Sequence, residues 1–231
     1  PVGFRTARSV SPKPGMLLVA GLAQANVEDL ARYVAGANAG LLRIPKSSSG
    51  AKALQKVSQA VSNIPWGGRL GEGDQEGTKR IAKAGWDFVV FPAANTSLAI
   101  LQIDEVGKIL EVEVSLSEGM LRAVNELPVD AVLTGGEQER EYFLTWHHLM
   151  LFQRVANLLT KPLLASIPSN VTDNELQALW QAGVAGVVVE VGVGQPISRL
   201  KELRQVIDKL AFPSPRKRKK AGALLPYIGG E

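Results

Sequence analysis

Cysteine is missing from this chain of 231 residues, and histidine occurs only twice. The lack of cysteine excludes disulfides, thiolate nucleophiles and cysteine metal ligands, and it leaves the cytoplasm as the default compartment. The two histidines, His147 and His148, are adjacent, so on a helix they point about 100° apart and cannot serve one metal together. Either could act alone, but we expect no metal site of the zinc type.

Long apolar runs are also missing, since none approaches the roughly 20 residues that a membrane span needs. The first 15 residues are polar and broken by prolines, which is unlike a signal peptide. The chain has no P-loop, no GxGxxG after its first strand and no GxSxG elbow. What remains is a chain with 45% hydrophobic residues, enough for one large core.

Positive charge is concentrated at the carboxyl end of the chain. The formal net charge is +4, with 26 basic and 22 acidic residues. Removing the five basic residues and one acid of positions 211–231 leaves 21 of each, so the rest is neutral. Residues 213–231 combine this basic run with the apolar segment ALLPYI, which predicts contact with a protein partner or an anionic membrane surface. A solvated charge run is the alternative. Nucleic acid is not expected, because aromatic interleaving is missing.

Eight short apolar segments alternate with helical patterns along the chain. The predicted strands are Met16–Ala20, Gly40–Ile44, Ile64–Leu70, Asp87–Phe91, Lys108–Ser115, Ala131–Thr134, Pro162–Ile167 and Gly186–Val191. Such alternation in a chain of this length predicts an α/β fold, a single (β/α)8 TIM barrel over residues 16–210, with an N-terminal arm (1–15) and a basic C-terminal tail (211–231). A doubly wound open sheet is the alternative.

Two of the segments between the strands have helical patterns. One helix is expected to follow Asp74 and to end at Gly85. The segment Glu137–Leu159 is long and helix-prone, with an apolar face expected from Tyr142, Phe143, Trp146, Met150 and Leu158.

Charged side chains are predicted inside the barrel, because strand residues alternate between its interior and the helix layer. The apolar residues of the fifth strand must face the helices, which turns Glu111 and Glu113 inward. The same rule points Arg43, Arg69 and Glu190 to the interior.

Buried charges are costly unless they are paired or bind a ligand. The cluster therefore favours an active site in which Arg43 and Arg69 hold an anion and Glu113, nearest the carboxyl end of its strand, transfers a proton. Glu111 and Glu190 would tune that group or bind a divalent cation such as Mg²⁺. An interior ion network without chemistry is the alternative.

Further candidates lie in loops after the strands. Lys46 could form a Schiff base or bind phosphate, although its serine-rich loop favours a solvated lysine. Barrels of this type bind phosphate with the loops after strands seven and eight, which here contain Ser169, Asn170, Gly192 and Gly194. Turn formation, helix capping and tight packing are the alternative roles of these residues.

The string AGVAGVVVEVGVG, preceded by a helix and by the strand PLLASIPS, resembles the last quarter of phosphate-binding (β/α)8 barrels of the ribulose-phosphate-binding superfamily. That group contains thiamine-phosphate and indole-glycerol-phosphate synthases. The resemblance spans residues 162–194 and implies a phosphorylated substrate. The chain departs from the pattern at Glu190, a carboxylate close to the expected phosphate, and at Val193, which separates the two glycines.

The sequence supports two hypotheses about function. The first is a barrel enzyme of the lyase, isomerase or synthase type, which acts on a small anionic metabolite by general acid–base chemistry. The second is a non-catalytic barrel scaffold that docks to a larger assembly or a membrane surface through its tail. The sequence leaves the metal requirement and the formation of oligomers open.

Overall fold

The computed structural model describes residues 15–23, 29–44, 50–71, 85–103, 105–135, 143–192 and 195–209, without the side chains of residues 50 and 51. Its strands are β1 Leu17–Leu22, β2 Ala39–Ile44, β3 Trp66–Leu70, β4 Phe88–Pro92, β5 Gly107–Glu113, β6 Ala131–Gly135, β7 Leu163–Ile167 and β8 Val184–Val191. Each strand pairs in parallel with its neighbours in sequence, and β8 pairs with β1, so the barrel is closed. The predicted (β/α)8 barrel is confirmed, and the open sheet is excluded.

Helices alternate with the strands and cover the outside of the barrel. They are α1 Leu30–Tyr33, α2 Gly50–Ala60, α3 Glu118–Val124, α4 Trp146–Leu158, α5 Asp173–Gln181 and α6 Arg199–Lys209, with a 3-10 helix at Leu98–Gln102. Several begin at polar residues that accept a hydrogen bond from the first turn, such as Ser117 before α3. Thr172 and Glu175 form a reciprocal capping box at the start of α5, so Thr172 serves as the helix cap.

Apolar side chains form two separate cores. A large cluster lies between the strands and the helices and includes Leu110 and Val112 of β5. A smaller cluster fills the barrel interior and consists of Val19, Leu41, Val90, Leu133, Leu164 and Val188. This division follows the alternation of side chains along each strand. The interior cluster fills the barrel below the carboxyl ends of the strands, which are left for polar groups.

Three of the five residues predicted for the apolar face of the long helix are exposed, whereas Leu158 packs against the main core and Tyr142 lies outside the described residues. Phe143, Trp146 and Met150 are 71%, 81% and 65% exposed, whereas Phe152 and Val155 are buried. The buried pair is three residues apart and so lies on one side of α4, while Trp146 and Met150 share a different side. Hydrophobic content alone did not show which side packs on the barrel.

Several predictions concern residues outside the described ranges. They are the arm before Gly15, the helix after Asp74, Lys46, Gly194 and the tail from residue 210 onward. Among the helices that the structure describes, none is long and apolar enough to cross a membrane.

Candidate active site

The carboxyl ends of β2 and β3 bring two arginines together at the mouth of the barrel. Arg43 and Arg69 are direct partners in the β2–β3 register. Arg43 follows Leu41 by two residues, and Leu41 belongs to the interior core, so both arginines stand one layer above that core. The sequence places them 26 positions apart, and only the pairing of neighbouring strands makes them adjacent.

Glu111 of β5 binds Arg69 through two hydrogen bonds. Arg69 Nε donates to Glu111 Oε2 at 3.0 Å, and Nη2 donates to Oε1. The two side chains are only 12% and 22% exposed. A guanidinium fork matches a carboxylate in this two-point geometry, so the pair is rigid as well as electrostatically strong. Glu111 therefore holds Arg69 in one orientation at the barrel mouth.

Glu190 of β8 is the second carboxylate beside Arg69. Its Oε1 lies 3.9 Å from Arg69 Nη1. The side chain is 51% exposed, but its carboxylate rests against Gly21 of β1, where a Cβ atom would lie 2.7 Å from Oε1. Protein thus replaces part of the water around the carboxylate. Burial raises the pKa of Glu190 above its ordinary value of 4.5, and the charges of Arg69 and Arg43 oppose the rise without cancelling it.

This shift predicts how stability depends on pH. Because the folded protein holds the Glu190 proton more tightly than the unfolded chain, ionisation of this group costs stability once the pH rises above 4.5. We therefore expect Glu190→Gln to be more stable than the unmodified protein at neutral pH, with the difference vanishing below pH 4.5. Urea unfolding at both pH values measures this. A variant that is less stable at neutral pH would show that ion pairing with Arg69 outweighs burial.

Glu113, the acid favoured by the sequence, is exposed at the carboxyl end of β5, and its Oε2 accepts a hydrogen bond from Ser115 Oγ at 3.1 Å. The three glutamates thus have different surroundings, since Glu111 is bound to Arg69, Glu190 is partly desolvated beside Arg69, and Glu113 is exposed at the rim.

The two loops nominated for phosphate binding touch each other. Ser169 Oγ donates to Gln195 Oε1 at 2.6 Å, which joins the loop after β7 to the loop after β8. Gly192 has a φ of 146°, a conformation that glycine favours, and its carbonyl accepts from the Gln195 N–H at 3.0 Å. Asn170 is exposed beside Ser169.

Two contributors to the site were missed by sequence reasoning. Gln195 lies in the loop after β8, and its polar side chain before Pro196 is the signal that the sequence offers. Gly21 lies beyond the predicted first strand, which ends at Ala20, and only the observed extension of β1 to Leu22 makes it a strand glycine that another group can approach closely.

The two histidines lie in the first turn of α4, where His148 takes part in the helix cap. His148 Nδ1 accepts from the Thr145 N–H at 3.1 Å in the capping box of α4, and His147 is exposed. Over the described residues we find no group of three or more histidines, cysteines, aspartates or glutamates placed to hold a metal ion.

Comparison with known proteins identifies solved barrels of the same architecture. Orotidine 5'-phosphate decarboxylase from Pyrococcus horikoshii OT3 matches with a TM-score of 0.60 at 15% identity, covering 83% of this chain and 100% of that one. N-(5'-phosphoribosyl)anthranilate isomerase from Pyrococcus furiosus matches with a TM-score of 0.60 at 16% identity, over 84% and 100% of the chains. A mutant tryptophan synthase alpha-subunit from the same organism gives 0.63 at 12% identity, over 86% and 98%.

The chain shares the (β/α)8 barrel fold of these three solved structures. The resemblance found at its carboxyl end is therefore confirmed at the level of architecture. No family model matches the sequence, and no curated protein matches it. What the barrel does must accordingly be argued from its own residues.

Proposed function

We propose that the protein is a barrel enzyme of the lyase, isomerase or synthase type that acts on a small phosphorylated metabolite by general acid–base chemistry. The observation that carries the proposal is the Glu190 carboxylate, which is partly desolvated beside two arginines at the carboxyl end of a closed barrel. This end of the barrel is where enzymes of this fold place catalysis. The names of two structural neighbours contain a phosphorylated compound, which supports the substrate class.

Glu190 is the proposed general acid–base. A group that exchanges protons near neutral pH works best when its pKa is raised toward the working pH, and burial moves Glu190 in that direction. In this mechanism Glu190 removes a proton from one substrate atom and returns it to the substrate or to the departing group. The arginine charges then stabilise the negative charge that develops on the substrate.

Arg69 and Arg43 have different proposed roles. Arg69 is fixed by Glu111, so it provides a positive charge of defined position next to Glu190. Arg43 is exposed beside it and would orient the anionic part of the substrate. Glu113 at the rim is the alternative candidate for the proton-transfer role. Ser169, Asn170, Gly192 and Gln195 would receive the phosphate group at the joined loops.

A purely structural ion network explains the cluster less well. In such a network each carboxylate would be stabilised in its charged form by its partners. The pKa of Glu190 is raised instead, because the effect of burial is larger than the attraction of Arg69 and Arg43. A carboxylate that burial disfavours in its charged form, beside arginines at the carboxyl ends of the strands, is typical of catalytic groups.

Ligand screening followed by an isotope-exchange assay tests the proposal. We expect sugar phosphates or inorganic phosphate to raise the melting temperature, and Arg43→Met to reduce the rise. With the ligand so found, Glu190→Gln should slow exchange of a substrate proton with deuterated solvent by about 10²–10⁴-fold while retaining binding. The surface variant Glu126→Gln is the control. Unchanged exchange in Glu190→Gln would refute its catalytic role, and a screen in which no anion binds would refute the function.

A further inference from the structure

Arg199, in the first turn of α6, connects to the loop after β7. Its Nε donates to the carbonyl of Ser169, and its Nη2 donates to the carbonyl of Val171 at 2.7 Å. The side chain is 22% exposed, so it is mostly enclosed by these contacts. One guanidinium therefore fixes the backbone on both sides of Asn170.

The loop held by Arg199 is the one that contacts the loop after β8. Ser169 accepts from Arg199 with its carbonyl and donates with its hydroxyl to Gln195. Gln195 in turn donates its backbone N–H to the Gly192 carbonyl. A continuous chain of hydrogen bonds thus runs from Arg199 through Ser169 and Gln195 to Gly192. It spans both loops that are proposed to receive the phosphate group.

Helix stability does not explain an arginine at this position. A positive side chain in the first turn opposes the helix dipole, which favours acidic residues there. The ion pair with Glu202 is weak, because Arg199 Nη1 lies 3.5 Å from Glu202 Oε2 and the Glu202 side chain is 53% exposed. The strong contacts of Arg199 are with the neighbouring loop, and they indicate what the residue does.

We propose that Arg199 is a positioning residue for the phosphate site, which sets the spacing of the two loops through the carbonyls of Ser169 and Val171. This inference rests on the proposed function, because it assumes that a phosphate monoester binds there. Arg199 need not contact the ligand, since its guanidinium is directed to backbone oxygens. It acts by keeping Ser169 and Gln195 in contact before the ligand arrives, which lowers the cost of ordering the loops on binding.

Three variants separate positioning from charge and from general stability. Arg199→Lys keeps the positive charge but cannot bind two carbonyls with a planar fork. Arg199→Met removes the charge as well. Arg204→Met is the matched control, because Arg204 lies on the same helix, is 15% exposed, and bonds instead to Asn38 at 3.1 Å and Asp208 at 2.8 Å. Those contacts are away from both loops.

Binding of inorganic phosphate to the full chain, measured by calorimetry at fixed salt, gives the test. We expect both Arg199 variants to bind at least about tenfold more weakly, as when other groups that orient ligand-binding residues are removed. Hydrogen exchange at the amides of residues 169–172 should speed up in both. Arg204→Met should lose stability while keeping its phosphate affinity.

Two results would overturn the inference. Full affinity in Arg199→Lys together with loss in Arg199→Met would show that charge alone matters. Unchanged affinity and unchanged exchange in both variants would show that Arg199 does not set the loops. In either case phosphate binding by the unmodified protein leaves the proposed function intact. If the unmodified protein binds no inorganic phosphate, this inference fails, while any sugar phosphate found by the screen still tests the proposed function through the exchange assay with Glu190→Gln.

Discussion

Replacing Arg69 with methionine is expected to lower the free energy of unfolding by about 3 kcal/mol, the lower part of the range for breaking a buried ion pair. The loss arises because Glu111, only 22% exposed, would be left without its two hydrogen bonds. Glu190 would lose its nearest positive charge as well. The two partly desolvated carboxylates would then repel each other with no cation between them. Urea unfolding at neutral pH measures the loss.

Two further variants make this result specific. Adding Glu111→Leu to Arg69→Met removes the stranded carboxylate and should restore about half of the lost stability. Arg32→Met breaks an exposed pair with Asp29, whose atoms lie 3.6 Å apart with 67% and 52% exposed side chains, and should cost no more than about 1 kcal/mol. If Arg69→Met lowers the free energy of unfolding no more than Arg32→Met does, the Arg69–Glu111 pair does not stabilise the barrel mouth.

The sequence was sufficient to place charges inside the barrel, because alternation along a strand is a strong constraint. Leu110 and Val112 had to face the helices, so Glu111 had to face inward, and it does. Alternation does not fix partners, however. Glu111 reaches Arg69 across 42 positions of sequence because two registers, β3–β4 and β4–β5, bring the strands to the right heights. The choice of Glu113 as the principal acid was made without that information, and its role stays a prediction.

The contacts between loops were beyond sequence reasoning for a different reason. Ser169 and Gln195 are 26 positions apart, and Arg199 reaches the same loop from a helix. Neither strand periodicity nor helix periodicity applies to such segments, so no pattern predicts which polar side chains meet. The face of α4 was misassigned because Trp146 and Met150 show that the helix has apolar residues but do not show which side packs against the barrel.

Substitution of Gly21 is expected to affect function much more than stability, because the absence of a side chain at this position leaves room for the Glu190 carboxylate. A Cβ at this position would lie 2.7 Å from Oε1 and 2.8 Å from the carboxyl carbon, so the carboxylate would have to move. It is the end of a flexible side chain with an open side toward solvent, and moving it is easy. We therefore expect Gly21→Ala to change the free energy of unfolding by no more than about 1 kcal/mol.

The same substitution should nevertheless lower turnover by about 100-fold, because displacing an acid–base group by about 1 Å spoils proton transfer. Gly135→Ala is the matched control at the barrel mouth, where the added Cβ would meet only Ser166 Cβ at 3.4 Å, an ordinary contact. It should keep both stability and turnover. Deuterium exchange into the ligand found by screening measures the effect, and urea unfolding measures stability. If Gly21→Ala reacts as fast as Gly135→Ala, the position of the Glu190 carboxylate does not limit the reaction, and Glu113 becomes the acid to test next.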